Sequence, residues 1–213
     1  MRPVRLLVLV LLFTATRAAA AELHVTLTDG KGQPVPDAVL TAYRTDGPQP
    51  AAAALHGIEI TQKDEEFLPF ITVVTTGTAV TFPNRDTVQH HVYSLSKAKK
   101  FELPLYDPGK AETIVFDQPG IVTIGCNIHD WMLAYLVVVD TPYHALSGRD
   151  GVAALALPAG VYRIEVWHPR LIGNPVTLPV RLAEAARVSP AVEMNLKPDR
   201  RVRRAPDAKP GGY

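Results

Sequence analysis

Short apolar runs separated by turn-forming residues constrain the fold of this chain most. Ile71 to Thr75 and Gly120 to Gly125 are typical runs, and Asp107-Pro108-Gly109 is a typical separator. No long segment has the helical apolar period of about 3.6 residues, and residues 62–66 and 181–187 are predicted to form short helical turns at most. Short strands at this spacing predict an all-β fold built from β-sandwiches.

The first 21 residues have the pattern of a secretory signal. Two arginines precede an unbroken apolar run at residues 6–13, and the small residues Ala18 to Ala21 follow. The run is too short to span a bilayer, which needs about 20 apolar residues. We expect a mature chain that begins near Ala21 or Glu22, is periplasmic or secreted, and has no transmembrane segment after the signal is removed.

Charge is distributed unevenly along the chain. Residues 197–213 hold six Lys or Arg and two Asp, and the signal holds three Arg, so residues 22–196 carry a net charge of about −6 although the whole chain carries +1. An acidic body argues against nucleic acid as a partner. The basic end, residues 197–213, is rich in Pro and Gly and poor in apolar residues, and is predicted to be a disordered tail.

The chain has one cysteine, Cys126. Exported proteins normally use cysteines in pairs, so a lone one is an intermolecular link, a free thiol or a metal ligand. His129 and Met132 follow it at i+3 and i+6, in a loop between the predicted strands 120–125 and 133–139. A thiolate, an imidazole and a thioether on one short loop favour copper, because copper binds soft sulfur together with imidazole.

A copper site of this kind needs a second histidine from elsewhere in the chain. His90 and His91 supply two candidates, in a segment where the strand Val80 to Phe82 leads into a loop and then into another strand. Alternate residues of a strand share a face, so His90 lies on the same face as Val92, which has the character of a core residue. This favours His90, and His91 remains the alternative.

The motif Cys126-x-x-His129-x-x-Met132, preceded by Asn84-Arg85-Asp86 before the histidine pair, resembles the cupredoxins, most closely the amicyanin and plastocyanin-like branch. The resemblance covers residues 58–139. It implies a Greek-key β-sandwich and an electron-transfer role.

The same resemblance implies one mononuclear type 1 copper per chain, bound by His90, Cys126, His129 and Met132. In that family an Asn usually follows the first ligand histidine, and this chain has His91 there. Asp130 adds a carboxylate to the loop, which would favour Cu(II), or is simply solvated. Trp131 belongs either to an apolar docking surface or to the core.

The segments on either side have a second resemblance. The opening strands after Glu22, with the turn Asp29-Gly30-Lys31-Gly32, and residues 150–166 resemble the two halves of a transthyretin-like or carboxypeptidase-regulatory-like domain. We predict one small sandwich from residues 22–54 and 142–196, with the cupredoxin segment 55–141 inserted. The alternative is a single extended sandwich with decorating strands. The layout is also similar to that of bacterial proteins labelled methylamine utilisation proteins.

The sequence favours an electron carrier over an enzyme, because four protein ligands leave no open metal position for a substrate. The expected partner is a redox protein such as a c-type cytochrome or a dehydrogenase. Two alternatives are a copper-handling or delivery protein and a non-redox binding module. Delivery sites tend to be rich in Met, and the chain has only three Met.

Overall fold

The computed structural model describes residues 20–200, which form eighteen strands and contain no α-helix. In chain order the strands are β1 Ala21–Asp29, β2 Val39–Arg44, β3 Ile58–Glu59, β4 Thr61–Lys63, β5 Glu66–Leu68, β6 Ile71–Thr75, β7 Thr78–Pro83, β8 His90–Ser96, β9 Lys99–Tyr106, β10 Ala111–Phe116, β11 Gly120–Gly125, β12 Leu133–Val139, β13 His144–Leu146, β14 Val152–Leu157, β15 Gly160–Trp167, β16 Val176–Leu182, β17 Arg187–Val188 and β18 Ala191–Met194. The all-β prediction is confirmed.

The signal assigned to the start of the chain lies outside the described residues, apart from residues 20 and 21, and so does the basic tail beyond residue 200. Within the described part, no helix has the length and apolar character needed to cross a membrane.

Strands β3 to β12 form a Greek-key sandwich with two main sheets, ordered β10-β7-β3 and β6-β12-β11-β8-β9. Side chains from both sheets meet in one core, with Val80, Phe82 and Phe116 from the first sheet and Val92, Val122, Ile124 and Leu136 from the second. β12 lies between β6 and β11, pairing parallel with β6 and antiparallel with β11. This arrangement carries the chain back and forth between the sheets, so that loops far apart in sequence meet at one end.

The prediction of a helical turn at residues 62–66 is wrong. β4 and β5 form a two-stranded hairpin, in which Lys63 pairs with Glu66 around the two-residue turn Asp64-Glu65. Both turn residues have positive φ, 55° and 53°, as the common two-residue hairpin turn requires. Residues 181–187 contain the end of β16, one tight turn and the start of β17.

A second sandwich forms from the two ends of the described chain. β1 pairs antiparallel with β14, from Ala21 opposite Leu157 to Thr26 opposite Val152, and β2 pairs antiparallel with β15. The pairing that the sequence predicted for these segments is therefore present. The fully buried Leu23, Val25 and Leu27 of β1 alternate with less buried residues and face a core that includes Ile164.

The two sandwiches share a third, smaller apolar cluster. Val39 and Trp167 of the second sandwich pack with Ile71, Val137 and Tyr135 of the first. β6 and β12 offer this outer face of the first sandwich, because their outward-facing side chains are also apolar. The segments that lead into and out of the first sandwich are also in contact. The Gln49 Nε2 amide of the first donates to Thr141 Oγ1 of the second at 2.8 Å.

Candidate metal centre

Two neighbouring strands carry the candidate ligands to one end of the first sandwich. β11 ends at Gly125 and the next seven residues, Cys126 to Met132, form the loop that leads into β12. β8 begins at His90 and lies beside β11 in the sheet. β11 and β8 are antiparallel, so the end of β11 and the start of β8 lie at the same end of the sandwich. His90 therefore lies next to the loop that holds Cys126 and His129.

A β-bulge in β9 lies opposite the start of β8. His90 pairs with Tyr106 and Val92 pairs with Leu103, so β9 advances three residues while β8 advances two. Pro104 lies in that stretch, and a proline has no backbone N–H for the ladder, which favours a bulge. Both His90 and His91 are buried, on different sides of the strand.

His90, Cys126 and His129 form the cluster. One donor atom from each lies within 4.8 Å of the other two. The Cys126 Sγ to His129 Nδ1 distance is 3.7 Å, and the two imidazole rings are 4.9 Å apart at an angle of 60°. His90 is fully buried and Cys126 is 4% exposed. A thiol and two imidazoles therefore converge on one point that solvent barely reaches.

The surroundings of Cys126 favour its thiolate. Burial raises the pKa of the thiol, but the His90 side chain, the backbone amides of His91 and Ile128, and the His129 side chain lower it, to about 6. A thiolate, not a thiol, is the form that binds metals. The loop thus presents its sulfur in the form that a metal ion requires.

Asp86 orients the imidazole ring of His90 through its Nε2 atom. The His90 Nε2 atom lies 3.0 Å from Asp86 Oδ2, and the side chain of Asp86 is mostly buried. Burial raises the pKa of Asp86, but hydrogen bonds from the Glu65 and Thr87 amides and from His90 lower it overall. With Nε2–H donated to this carboxylate, Nδ1 of His90 is left as the lone-pair atom of the ring.

His129 lies between Trp131 and Glu65 at the end of the first sandwich. Its ring packs against that of Trp131 with centroids 5.4 Å apart, and its Nε2 lies 4.0 Å from Glu65 Oε2. Trp131 packs partly against the core and donates its indole N–H to the Glu65 carbonyl at 3.2 Å. Of the two alternatives for Trp131, the structure favours the core.

Met132 ends the loop and is 2% exposed within the core of the first sandwich. Its backbone N–H donates to the His129 carbonyl at 2.9 Å, which closes the loop as a tight turn. Met132 and Cys126 line the same groove of about 390 Å³, together with Tyr93 and the exposed Asp130.

His91, the alternative to His90, lies outside the cluster. Its Nε2 is 2.9 Å from Glu102 Oε1 on β9. Only its backbone amide acts on Cys126, as one of the groups that lower the thiol pKa. Within the described chain the three-residue cluster contains His90 and not His91.

The residues present fit a copper ion by the chemistry of their donors. Two imidazoles and one low-pKa thiol converge, and the same loop ends at the buried Met132. The Nδ1 atom of His90 is buried and has no hydrogen-bond partner within standard geometry, although it belongs to a ring held by a carboxylate. A buried nitrogen without a hydrogen bond is costly unless it binds something else, and a soft N,N,S set is one that copper favours.

Sequence reasoning missed the part played by two carboxylates. Asp86 was noticed as part of the Asn84-Arg85-Asp86 stretch, but its contact with His90 depends on how the loop before β8 folds back. That loop is fixed by Asn84, which is buried, donates to the carbonyls of Val88 and Tyr106 and accepts from the Asp86 amide. Glu65 gave no signal at all, since it belongs to a hairpin 25 residues upstream of His90.

Comparison with known proteins gives structural matches and no sequence family. No family model matches the chain, and no curated protein matches it either. A purple cupredoxin from Nitrosopumilus maritimus matches with 23% identity over 38% of this chain and 99% of the other, at a TM-score of 0.36.

Two structures of amicyanin variants match over 46% of this chain and 99% of theirs. One is a Cu(I) form with 20% identity and a TM-score of 0.38, and the other is a reduced form with 23% identity and a TM-score of 0.36. The structural neighbours named here are thus cupredoxins, and each match spans less than half of this chain.

Proposed function

We propose that this chain binds one copper ion through His90, Cys126, His129 and Met132 and serves as a one-electron carrier. The observation that carries the proposal is the convergence of one thiol and two imidazole donors within 4.8 Å in a buried cluster. Copper bound by one Cys, two His and a weak axial Met exchanges one electron between Cu(I) and Cu(II). The surrounding residues hold the donor atoms in place. The protein would therefore rearrange little when the copper ion gains or loses an electron.

The burial of the site supports a carrier over the delivery alternative. A delivery protein must hand its metal to a partner, and its ligands are accordingly accessible. Here Cys126 and His90 are buried, and the side chain of His129 is 16% exposed beside Glu65 of the β4–β5 hairpin. Electrons pass through a thin layer of protein, whereas a metal ion would need the loop to open.

The remaining parts of the proposal rest on the sequence. The signal pattern at residues 1–21 supports a periplasmic or secreted location, and the full set of four protein ligands supports a role without catalysis. The proposed partner is another redox protein, such as a c-type cytochrome or a dehydrogenase. We also propose that the second sandwich is a transthyretin-like module, because its strands come from the two segments that carry that resemblance.

Copper loading and a visible spectrum of the chain starting at Ala21 test the function. We expect about one copper per chain and an intense thiolate-to-copper absorption band at about 600 nm. Cys126→Ser, which keeps the size of the side chain, should lose the band, whereas Ser94→Ala, on a buried residue of β8 outside the cluster, should keep it. A wild-type chain that binds no copper, or a Cys126→Ser spectrum identical to wild type, would rule the proposal out.

A further inference from the structure

The turn of the β4–β5 hairpin lies against the candidate metal centre. Its second residue, Glu65, is 7% exposed although it is charged and occupies a tight turn. Hairpin turns of this type favour Asn, Asp and Gly at positions of positive φ, and the φ of Glu65 is 53°. A buried glutamate at such a position is not explained by the needs of the turn.

Three contacts fix Glu65 to the ligand-bearing segments. Its backbone N–H donates to Asp86 Oδ2 at 2.7 Å, and its carbonyl accepts from the Trp131 indole at 3.2 Å. Its carboxylate oxygen Oε2 lies 4.0 Å from Nε2 of His129. The backbone is therefore tied to the groups beside each histidine, and the side chain is directed at one of them.

The carboxylate and the thiol lie on opposite edges of the His129 ring. Nδ1 faces Cys126 Sγ at 3.7 Å, and Nε2 faces Glu65. A separation of 4.0 Å is longer than a hydrogen bond, so the contact acts through charge. A negative group beside Nε2 favours a proton on Nε2, which leaves Nδ1 as the ring atom that can bind a metal ion beside Cys126.

We propose that Glu65 is a positioning residue for the metal centre. Its carboxylate holds His129 with Nδ1 towards Cys126 and stabilises the more positively charged, oxidised form of the centre. This inference rests on the copper function proposed above. It places a carboxylate beside His129, as Asp86 does beside His90, but it acts through charge rather than a hydrogen bond and comes from a hairpin with no sequence motif.

The variant Glu65→Gln tests the inference, with Asp64→Asn as its matched control. Both remove one negative charge from the same turn, but Asp64 is exposed, and Asn readily adopts its positive φ. We expect Glu65→Gln to weaken Cu(II) binding about tenfold, the lower end of the effect of removing such a support, and to shift the reduction potential upwards. Asp64→Asn should leave both values near those of the wild type.

A potential that is unchanged in Glu65→Gln, or shifted equally in Asp64→Asn, would overturn the inference while leaving the copper function intact. A second measurement needs neither variant nor copper. Nitrogen NMR of the metal-free wild-type protein should show His129 protonated on Nε2, the atom beside Glu65. The opposite tautomer would overturn the inference even if Glu65→Gln fails to fold. Failure of the wild type to bind copper is a different result, and it removes the proposed function instead.

Discussion

Asp86 Oδ2 lies 3.0 Å from Nε2 of His90 and also accepts the backbone N–H of Glu65 at 2.7 Å. One carboxylate oxygen thus joins the loop before β8 to the β4–β5 hairpin. The candidate centre is accordingly built from three separate pieces of chain, the hairpin, the start of β8 and the loop after β11, which are joined by hydrogen bonds at the end of one sandwich.

Replacing Asp86 by Ala should weaken the metal site and the fold together. His90 would lose the group that fixes its ring, and metal affinity should fall about 10- to 100-fold. The loss of charge-assisted hydrogen bonds should lower the free energy of unfolding by about 2 kcal/mol. Copper competition titrations and urea unfolding measure the two effects. Asp107→Ala, which removes an exposed carboxylate that accepts from Gln89, is the control and should change neither by much.

Substituting each histidine of the pair separately should give unequal results. His90→Ala should abolish the copper spectrum, because His90 is the member whose ring reaches Cys126. His91→Ala should only perturb it, since the ring of His91 faces Glu102 at 2.9 Å. Visible and electron paramagnetic resonance spectra of the two copper-loaded variants decide the matter. A spectrum retained in His90→Ala and lost in His91→Ala would show that His91 is the ligand.

Gly151 should tolerate no side chain, because it lies directly before β14 and packs closely against Leu27 of β1. Its carbonyl accepts from the Leu27 amide at 2.8 Å, its φ is +74°, and an added Cβ would lie 2.5 Å from the Leu27 carbonyl oxygen. We expect Gly151→Ala to lower the free energy of unfolding by about 3 kcal/mol, from backbone strain and overpacking together.

Gly32→Ala separates those two terms. Gly32 has nearly the same φ, +73°, but an added Cβ meets nothing within 4 Å. Only the backbone strain of about 1 kcal/mol should remain. Equal losses of stability in the two variants, measured by urea unfolding, would contradict the close packing of β1 against β14.

The protein should lose stability in mild acid through His144. Burial lowers the pKa of His144 from its ordinary 6.5, although the Thr141 backbone raises it in part. The unfolded chain therefore binds a proton at a higher pH than the folded one, and the free energy of unfolding falls as the pH drops below about 6.5. His144→Gln should reduce this fall between about pH 7.5 and 5.5.

Much of the fold follows from local sequence patterns. The strand expected after Glu22 is β1, in which Leu23, Val25 and Leu27 alternate with less buried residues. The prediction failed at residues 62–66, where five polar residues give neither a strand nor a hairpin signal. Their conformation is decided by what they contact, since Gln62 is buried within the sandwich and Glu65 is held by Asp86 and Trp131.

The sequence by itself determined the all-β architecture and the residue types of the candidate centre, and it predicted that the segments on either side of the first sandwich pair. These follow from apolar periodicity, turn chemistry and the close spacing of Cys126, His129 and Met132, which are properties of neighbouring residues. Only the tertiary structure decided that His90 rather than His91 reaches Cys126. It also decided that Asp86 lies beside His90 and Glu65 beside His129. His90 meets Asp86 through a loop that Asn84 holds, and Glu65 reaches His129 from 64 residues away in the chain. Contacts of that kind leave no periodic trace in the sequence, because they form only when sheets pack and their loops meet.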